Sequence, residues 1–297
     1  MKPHNKTLCQ KRIRPMELFL EAAIYGAASV SVILLSGIIG YVFMKGAPAV
    51  SISFLTSVTS SLKETIGIAG NLVNTLYMII MTLSIAVPVG VGAAIYLNEY
   101  AKQGKLVSLI EFTTETLSGI PSVIYGLFGM VFFGKFLHLG YSLLRGALTL
   151  SLMVLPLMIR NTQEALRTVP DSYRSGALSM GATKWRMIRT VLLPSAMPGI
   201  LTGIILSIGK IVGESAALLF TAGSSRLLPK LGDGLMNSLQ GLVKKATESG
   251  GTLTIELYLQ MQNGRYDAAF GIGCVLIVIV LCINFLMGLV AGKLRKT

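Results

Sequence analysis

The sequence predicts an all-α integral membrane protein with six transmembrane helices, and three observations carry this prediction. Hydrophobic residues make up 53% of the 297 residues, charged residues make up only 13%, and the mean hydropathy is +0.69. Soluble domains contain about 25% charged residues, so this chain has too few charges to solvate a globule of its length. Apolar stretches of about 20 residues, which is the length that crosses the hydrocarbon core of a bilayer as a helix, recur along the chain.

Six apolar stretches are each long enough to be a transmembrane helix. The first is longer than the apolar core of a signal peptide, which is about 7 to 15 residues, so we expect it to be retained as a span. Prolines inside the second, third and fourth stretches are expected to kink these helices. A kink leaves a backbone carbonyl without its helical donor, and membranes tolerate this where a neighbouring helix or a cavity satisfies that carbonyl. The predicted spans are Leu18–Met44, Leu72–Leu97, Val107–Phe133, Gly146–Thr168, Met187–Thr221 and Ala268–Val290.

The distribution of lysine and arginine predicts that both termini are cytoplasmic. The N-terminal segment has five of these residues, the loop near residue 100 has two, the loop near residue 175 has four and the C-terminal segment has three. The short alternate loops have two each, and the one long loop carries little weight in the positive-inside rule. Topology therefore explains the net charge of +13, and we expect membrane lipid but no nucleic acid as a partner.

The polar residues form no pattern typical of a catalytic or metal site. Cys274 and Cys282 lie about 12 Å apart along one predicted helix, which is beyond disulfide reach. His4 and His138 are predicted on opposite membrane faces, so they cannot join a ligand cluster. We therefore expect no catalytic residue, no metal and no cofactor in this chain.

Three ionisable residues lie well inside predicted spans, namely Arg160, Lys210 and Glu214. An ionised group there costs at least about 2.5 to 3.5 kcal/mol and suggests a functional role by default. Lys210 and Glu214 are four residues apart, so we expect them to pair on one helix face, either along an anion pathway or as a structural pair at a packed interface. Arg160 has no acidic neighbour within its apolar stretch, and its guanidinium suits bidentate contact with phosphate oxygens. Glu111 and Glu115, near a span end, are expected to form a solvated or lysine-paired face.

Small residues in the fifth span indicate close helix packing. Gly199 and Gly203 are four residues apart, as are Gly209 and Gly213, and such pairs allow another helix to approach closely. We favour packing within the chain over a dimer face. No internal repeat is visible, which weakens the alternative of an inverted-repeat secondary transporter.

The loop between the fourth and fifth spans predicts a helix, a glycine corner and a second helix. Pro170 and Asp171 can start the first helix, Gly181 can end it with a left-handed turn, and Thr183 can cap the second. Small residues on the first helix would let it enter a groove on a partner protein. A re-entrant surface helix is the alternative on physical grounds alone.

This loop resembles the EAA loop of ABC-importer permeases, E-A-A-x3-G-x9-I-x-L-P. Departures from that motif are a serine in place of the glutamate and a glycine in place of the first alanine. The residues at the motif positions are Ser175, Gly176, Ala177, Gly181, Val191 and Leu193-Pro194.

Two further stretches resemble signatures of phosphate-specific permeases. Leu117–Phe128 is similar to their span-three signature, and Gly213–Leu218 is similar to their span-five run G-E-T/S-A-P/A-L. On these motifs the chain is identified as a member of the PstA-type permeases of phosphate ABC importers, within the MetI-like transmembrane family. Lys210 departs from the arginine that this resemblance implies at that position.

The resemblance implies a type I ABC importer permease core with a cytoplasmic coupling helix, in a bacterial cytoplasmic membrane. Its domains would be residues 1–66, with the cytoplasmic N-terminus, the first span and an external loop, the permease domain at 67–292, and a cytoplasmic tail at 293–297. The substrate would be inorganic phosphate. The implied partners are a paralogous phosphate permease subunit, an extracytoplasmic phosphate-binding protein and two copies of an ATP-binding subunit, which binds ATP and Mg²⁺. The implied ATPase-coupling residues are Ser175, Gly176, Ala177, Gly181, Ala182 and Lys184.

Several alternatives remain open from the sequence. The chain could carry another oxyanion or small solute, such as sulfate, molybdate, phosphonate or an amino acid, or it could be the paralogous second subunit of the same importer. A membrane scaffold or sensor without transport is the alternative from a different class, and the charges buried in the spans argue against it. An intramembrane enzyme would require catalytic carboxylates or a zinc motif, and the sequence has neither.

Overall fold

A computed structural model describes residues 15–60, 65–102, 104–228 and 235–294. Five helices in these residues are long and apolar enough to cross a membrane, and a pair of shorter helices that meet at 102° makes a sixth crossing if the pair is counted as one span. Strands β1 (Val58–Ser60) and β2 (Thr65–Ile68) form an antiparallel hairpin that the sequence analysis did not predict. The helices are α1 (Pro15–Gly46), α2 (Ile52–Thr56), α3 (Ala69–Ile95), α4 (Lys105–Ser118), α5 (Ser122–Gly129), α6 (Leu143–Arg167), α7 (Asp171–Ser179), α8 (Lys184–Met187), α9 (Leu193–Gly213), α10 (Ala216–Thr221), α11 (Leu235–Ala246), α12 (Leu253–Gln262) and α13 (Tyr266–Leu294).

Short π-helical turns extend three of the spans. The turn Tyr96–Tyr100 continues α3, Met130–Phe136 continues α5, and Ile188–Leu192 joins α8 to α9. A 3-10 turn at Ala47–Ala49 follows α1.

The bundle has two ends, which we name after an element at each. The α7 end carries the connection from α3 to α4 and the segment from α7 to α8. The hairpin end carries β1, β2, the connection 137–142, residues 222–228, α11 and the connection 247–252. The five cations predicted to mark the N-terminal segment lie at residues 2–14, outside the described part of the chain.

The third predicted span is two helices rather than one. The chain between α4 and α5 is Gly119-Ile120-Pro121, and the two helices meet there at 102°. Pro121 has no backbone N–H and excludes the α conformation at the residue before it, so the helix ends and starts again at Ser122. Pro88 and Pro156, by contrast, lie inside α3 and α6 without ending them.

The fifth predicted span is also broken. Helix α9 ends at Gly213, Glu214 is extended with φ −83° and ψ 126°, and α10 starts at Ala216. The Glu214 carboxylate accepts a hydrogen bond from the backbone N–H of Ala217 at 2.9 Å. A side chain thus satisfies a backbone donor that the interrupted helix leaves free.

The core lies where α3, α6, α9 and α10 meet, and it confirms the expectation of close packing within the chain for one of the two glycine pairs of α9. A Cβ on Gly199 would lie 2.5 Å from the Cβ of Ala165, and one on Gly203 would lie 2.9 Å from the Cβ of Asn161. Only glycine allows α9 to approach α6 this closely. The second glycine pair of α9 has open space around it.

The hairpin end is held by buried polar contacts. Glu256 on α12 is fully buried and accepts a 2.7 Å hydrogen bond from Arg226 and a 2.6 Å hydrogen bond from Gln260. The ammonium group of Lys245 donates to the carbonyl oxygen of Leu227 at 2.7 Å, and burial lowers the pKa of this lysine. The Arg226 contact ties the segment after α10 to α12, and the Lys245 contact ties that segment to α11.

Candidate functional site

Lys210 and Glu214 lie at the break between α9 and α10, and the prediction that they pair is wrong. The helix ends between them, so they do not share a helix face. The Lys210 ammonium group donates instead to the carbonyl oxygen of Met153 on α6 at 3.4 Å, and Glu214 caps Ala217. Thr254 of α12 donates to the carbonyl oxygen of Glu214 at 2.8 Å and holds the break in place. Lys210 is therefore a half-buried cation with no carboxylate partner among the described residues.

Arg160 has an acidic partner on another helix, which its own apolar stretch did not predict. Its side chain is 65% exposed on the isolated chain and lies between Glu115 of α4, at 3.8 Å, and Glu164 of α6, at 3.5 Å. Arg167 lies 3.5 Å from Glu111 on α4. The bend after α4 lays that helix along α6, so Glu111 and Glu115, which were expected on a solvated or lysine-paired face, have exposed side chains that lie beside arginines.

Two adjoining cavities lie between α4, α5 and α6 and share Thr114 and Pro156. The first, which we call the polar cavity, has a volume of about 330 Å³, is lined about equally by polar and apolar surface, and includes Arg160 and its carboxylate partners. The second, of about 380 Å³, is almost entirely apolar and lies where α4 bends into α5. The polar cavity is lined by Leu97, Glu111, Thr114, Glu115, Ser118, Pro156, Leu157, Arg160, Gln163, Glu164 and Arg167. The apolar cavity is lined by Thr114, Leu117, Ile120, Ile124, Tyr125, Phe128, Leu152, Leu155, Pro156 and Ile159.

The structure does not gather the three predicted pathway residues into one site. Arg160 lines the polar cavity, whereas Lys210 and Glu214 line neither cavity. Met153, the neighbour of Lys210, is seven residues before Arg160 on α6, which is about 10 Å along the axis and on the same face. Lys210 therefore contacts α6 about 10 Å along the helix axis from Arg160.

The corner after α7 forms as predicted. Gly181 has φ +80°, its N–H donates to the carbonyl oxygen of Leu178 at 3.0 Å, and the next N–H, of Ala182, donates to that of Ala177 at 3.1 Å. This pair of bonds is the Schellman motif that commonly ends a helix. The Thr183 hydroxyl accepts the N–H of Arg186 at 3.3 Å and caps α8, again as predicted.

The small residues of α7 face in different directions. Ala177 is buried in the chain's own core, and Ala182 is half-buried beside it. Gly176 is exposed, with no heavy atom within 4 Å of the position of a Cβ. The Ser175 hydroxyl donates back to the carbonyl oxygen of Asp171 at 3.1 Å, so in this state it is used within α7. Of these four, Gly176 and Ser175 alone lie on the outer surface.

An exposed apolar surface on the corner loop was missed by the sequence analysis. It carries the single tryptophan of the chain, whose side chain is 61% exposed, and a methionine that is 86% exposed. Their residue types were visible in the sequence, but the face on which they lie depends on how α7 packs. The members of this surface are Tyr173, Leu178, Met180 and Trp185.

Arg145 was counted in the sequence as a loop cation, but it is buried in the first turn of α6. Its guanidinium donates to the carbonyl oxygens of Thr221 and Phe220, both at 2.8 Å, and of Leu139 at 3.3 Å. It also lies 4.3 Å from the ring centroid of Tyr141. Arg145 thus satisfies carbonyls at the end of α10 and holds this short helix in the bundle.

Comparisons with known proteins agree with this architecture. Residues 86–296 match the family described as binding-protein-dependent transport system inner membrane component. A probable ABC transporter permease, YqgI of Bacillus subtilis, is 38% identical over 196 residues, or 66% of this chain and 67% of the relative. The phosphate transport system permease protein PstA of Xylella fastidiosa is 38% identical over 180 residues, or 60% of this chain and 62% of the relative.

One solved structure illustrates the likeness in fold. A chain of the bacterial alginate ABC transporter, in complex with a periplasmic protein that binds an alginate pentasaccharide, aligns with a TM-score of 0.64. The alignment covers 95% of this chain and 97% of that chain, at 16% identity. At this identity the likeness concerns the fold alone.

Proposed function

This chain belongs to the family of inner membrane components of binding-protein-dependent transport systems, and from that membership we propose that it is a permease subunit of a phosphate-importing ABC transporter. The substrate follows from the relative that is named as a phosphate transport permease and is 38% identical. The structural observation that supports an anion as substrate is Lys210, a half-buried cation at the break in a membrane span. A charged side chain inside a membrane span is costly and marks a substrate or ion pathway by default.

Lys210 is proposed to attract the phosphate, while neighbouring groups keep binding weak. Its only described polar neighbour is the carbonyl oxygen of Met153 at 3.4 Å, which is a long and weak hydrogen bond. The Glu214 carboxylate, at the same break, accepts the hydrogen bond from the backbone N–H of Ala217 and adds negative charge near the break. A pathway must attract its ion and also release it, and one cation beside one carboxylate meets both needs.

Arg160 is proposed to act further along the pathway, towards the α7 end. Two carboxylates lie close to it, at 3.5 and 3.8 Å, so a passing phosphate must compete with them for the guanidinium. Exposed ion pairs of this length are worth at most about 1 kcal/mol, so the competition is easily reversed. Arg160 would then pass the anion on without holding it.

The corner loop is proposed to be the coupling element. The exposed apolar surface of Tyr173, Leu178, Met180 and Trp185, beside the exposed Gly176, suits a groove on a protein partner. Several large apolar side chains exposed on one short loop are typical of an interaction site. The partner would be an ATP-binding subunit, present in two copies, and ATP and Mg²⁺ would be bound there. Ser175, Gly176, Gly181 and Lys184 would act at this contact, with Ala177 and Ala182 supporting the corner from inside.

The remaining partners and the orientation follow from the same proposal. A paralogous permease subunit would supply the other half of the pathway, and an extracytoplasmic phosphate-binding protein would dock at the hairpin end. The α7 end and both termini would face the cytoplasm, as the lysine and arginine distribution predicts. The apolar outer faces of α1 and α13 would contact the lipid of the bacterial cytoplasmic membrane.

Uptake of labelled phosphate by a strain that lacks this subunit tests the proposal. We expect the wild-type chain to restore uptake and expect excess sulfate or molybdate not to inhibit it. Uptake that is restored but inhibited by sulfate or molybdate would indicate another oxyanion. Unchanged uptake without the chain, together with failure to co-purify an ATPase, would indicate a scaffold or sensor.

A further inference from the structure

The π-helical turn Tyr96–Tyr100 at the end of α3 contacts both helices of the corner loop. Glu99 pairs with Arg174 of α7, and the ring of Tyr100 lies 4.9 Å from the ammonium group of Lys184 at the start of α8. Neither contact follows from the sequence motifs, because α3 and α7 are more than 70 residues apart in the chain.

Arg174 is fixed by five hydrogen bonds that reach three elements. Its guanidinium donates to Glu99 of the α3 turn at 3.1 and 3.3 Å, and to Asp171 of α7 at 2.9 Å. It also donates to the carbonyl oxygens of Leu166 and Val169, at the end of α6, both at 2.9 Å. All three nitrogen atoms of the guanidinium therefore donate hydrogen bonds, and Arg174 cannot change rotamer without breaking several of them.

The pair of Glu99 and Arg174 is shielded from solvent, unlike the other ion pairs described at the α7 end. The Glu99 side chain is only 5% exposed and that of Arg174 only 19%. Asn98 donates a further hydrogen bond to Glu99 at 2.7 Å. The pair of Arg167 and Glu111 is 60% and 42% exposed and 3.5 Å long, so solvent screens it. Removing one partner of a shielded, hydrogen-bonded charge pair strongly destabilises the protein, because the other charge stays buried and unpaired. Removing one partner of an exposed pair does not.

We propose that Glu99 and Arg174 form a rigid joint through which movement of α7 is transmitted to α3, so that both move as one body during transport. This inference rests on the proposed coupling role of α7 and adds the route by which that movement reaches the core. Helix α3 packs along α6, whose face carries Arg160 and Met153, the neighbour of Lys210. Glu99 acts through Arg174 and is a positioning residue.

A distance measurement in the assembled transporter tests the joint without any substitution in it. Spin labels are placed at Ser172 on α7 and at Lys102 just beyond α3, with Cys9 and Cys282 replaced by serine and the buried Cys274 retained. We expect the same distance between labels in the nucleotide-free complex and in the complex trapped with ATP and vanadate. A change in that distance on trapping would overturn the joint.

The Glu99→Gln variant tests the cause, because it keeps the shape of the side chain and removes its charge. We expect the distribution of label distances to broaden in this variant. The amount of phosphate transported per ATP hydrolysed should fall by about 2- to 30-fold, which is the range for residues that couple two binding sites without contacting either ligand. Asp171→Asn is the matched control, since Asp171 contacts the same arginine but is 97% exposed, and it should leave both readouts unchanged. A Glu99→Gln variant with wild-type distances and a wild-type transport ratio would overturn the proposal.

The joint and the proposed function fail in different ways. If the complex transports an anion other than phosphate, the ratio is measured with that anion and the label distances still decide the joint. If phosphate uptake is normal but α7 moves relative to α3, the proposed function stands and the joint is wrong.

Discussion

Replacing Gly181 with valine should uncouple the corner loop without disturbing its surroundings. Gly181 has φ +80°, a conformation that costs an L-residue with a Cβ about 1 to 2 kcal/mol. No heavy atom lies within 4 Å of the position of a Cβ there, so no steric collision adds to this cost. At about 1.4 kcal/mol per tenfold change, the population with a correctly formed corner should fall by about 5- to 30-fold relative to the opened form.

Gly264→Val is the matched control, because Gly264 ends α12 with the same motif at the opposite end of the bundle. Gly264 has φ +73°, also with open space around it, and its N–H donates to the carbonyl oxygen of Met261 at 3.1 Å. The conformational cost is the same in both variants, but only Gly181 lies in the proposed coupling loop. General destabilisation is thereby separated from loss of coupling.

The assay measures membrane abundance, co-purification of the ATP-binding subunit and uptake of labelled phosphate in both variants. We expect similar abundance in both, with ATPase recovery and uptake reduced several-fold in Gly181→Val alone. Equal recovery and equal uptake in the two variants would refute the assignment of the corner as the coupling element.

Three further predictions concern the anion site, the bundle and the topology. Lys210→Arg should keep phosphate uptake, because the positive charge is kept. The double variant Lys210→Glu with Glu214→Lys should be inactive, because the two side chains do not pair. Wild-type uptake by the double variant, at normal abundance, would contradict this prediction. Arg145→Met leaves several buried carbonyl oxygens without a hydrogen-bond donor, which destabilises the fold by about 1 to 3 kcal/mol for each oxygen. The midpoint temperature of thermal unfolding in detergent should therefore fall. An unchanged midpoint would show that these contacts contribute little to stability. Reporter fusions at Ser57 and Ser249 should read external, and a cytoplasmic signal at Ser249 would contradict the orientation.

The sequence was most informative where short-range chemistry decides the structure. Pro170, Gly181 and Thr183 act through their own backbone geometry and hydrogen bonds within a few residues, so the helix, corner and helix were predictable. The glycine contacts of α9 with α6 followed from small residues at helical spacing. The five unbroken membrane-crossing helices followed from apolar length alone.

The sequence was least informative where a contact depends on how distant segments meet. The spacing of Lys210 and Glu214 suggested a pair, but the carboxylate caps a backbone N–H and the helix breaks between them. The contact of Arg160 with Glu115 was not predictable, because Glu115 belongs to α4, and the bend at Pro121 decides how that helix lies against α6. Arg145 looked like a loop cation because the acceptors of its side chain lie at the end of α10.

Phosphate accumulation by the purified complex in proteoliposomes tests the central claim most directly. The vesicles contain ATP inside and the phosphate-binding protein outside, and wild-type chain is compared with Lys210→Met at equal abundance. We predict accumulation of labelled phosphate that requires both ATP and the binding protein and is lost in Lys210→Met. Equal accumulation by the wild type and the variant, or accumulation of sulfate in preference to phosphate, would contradict this account.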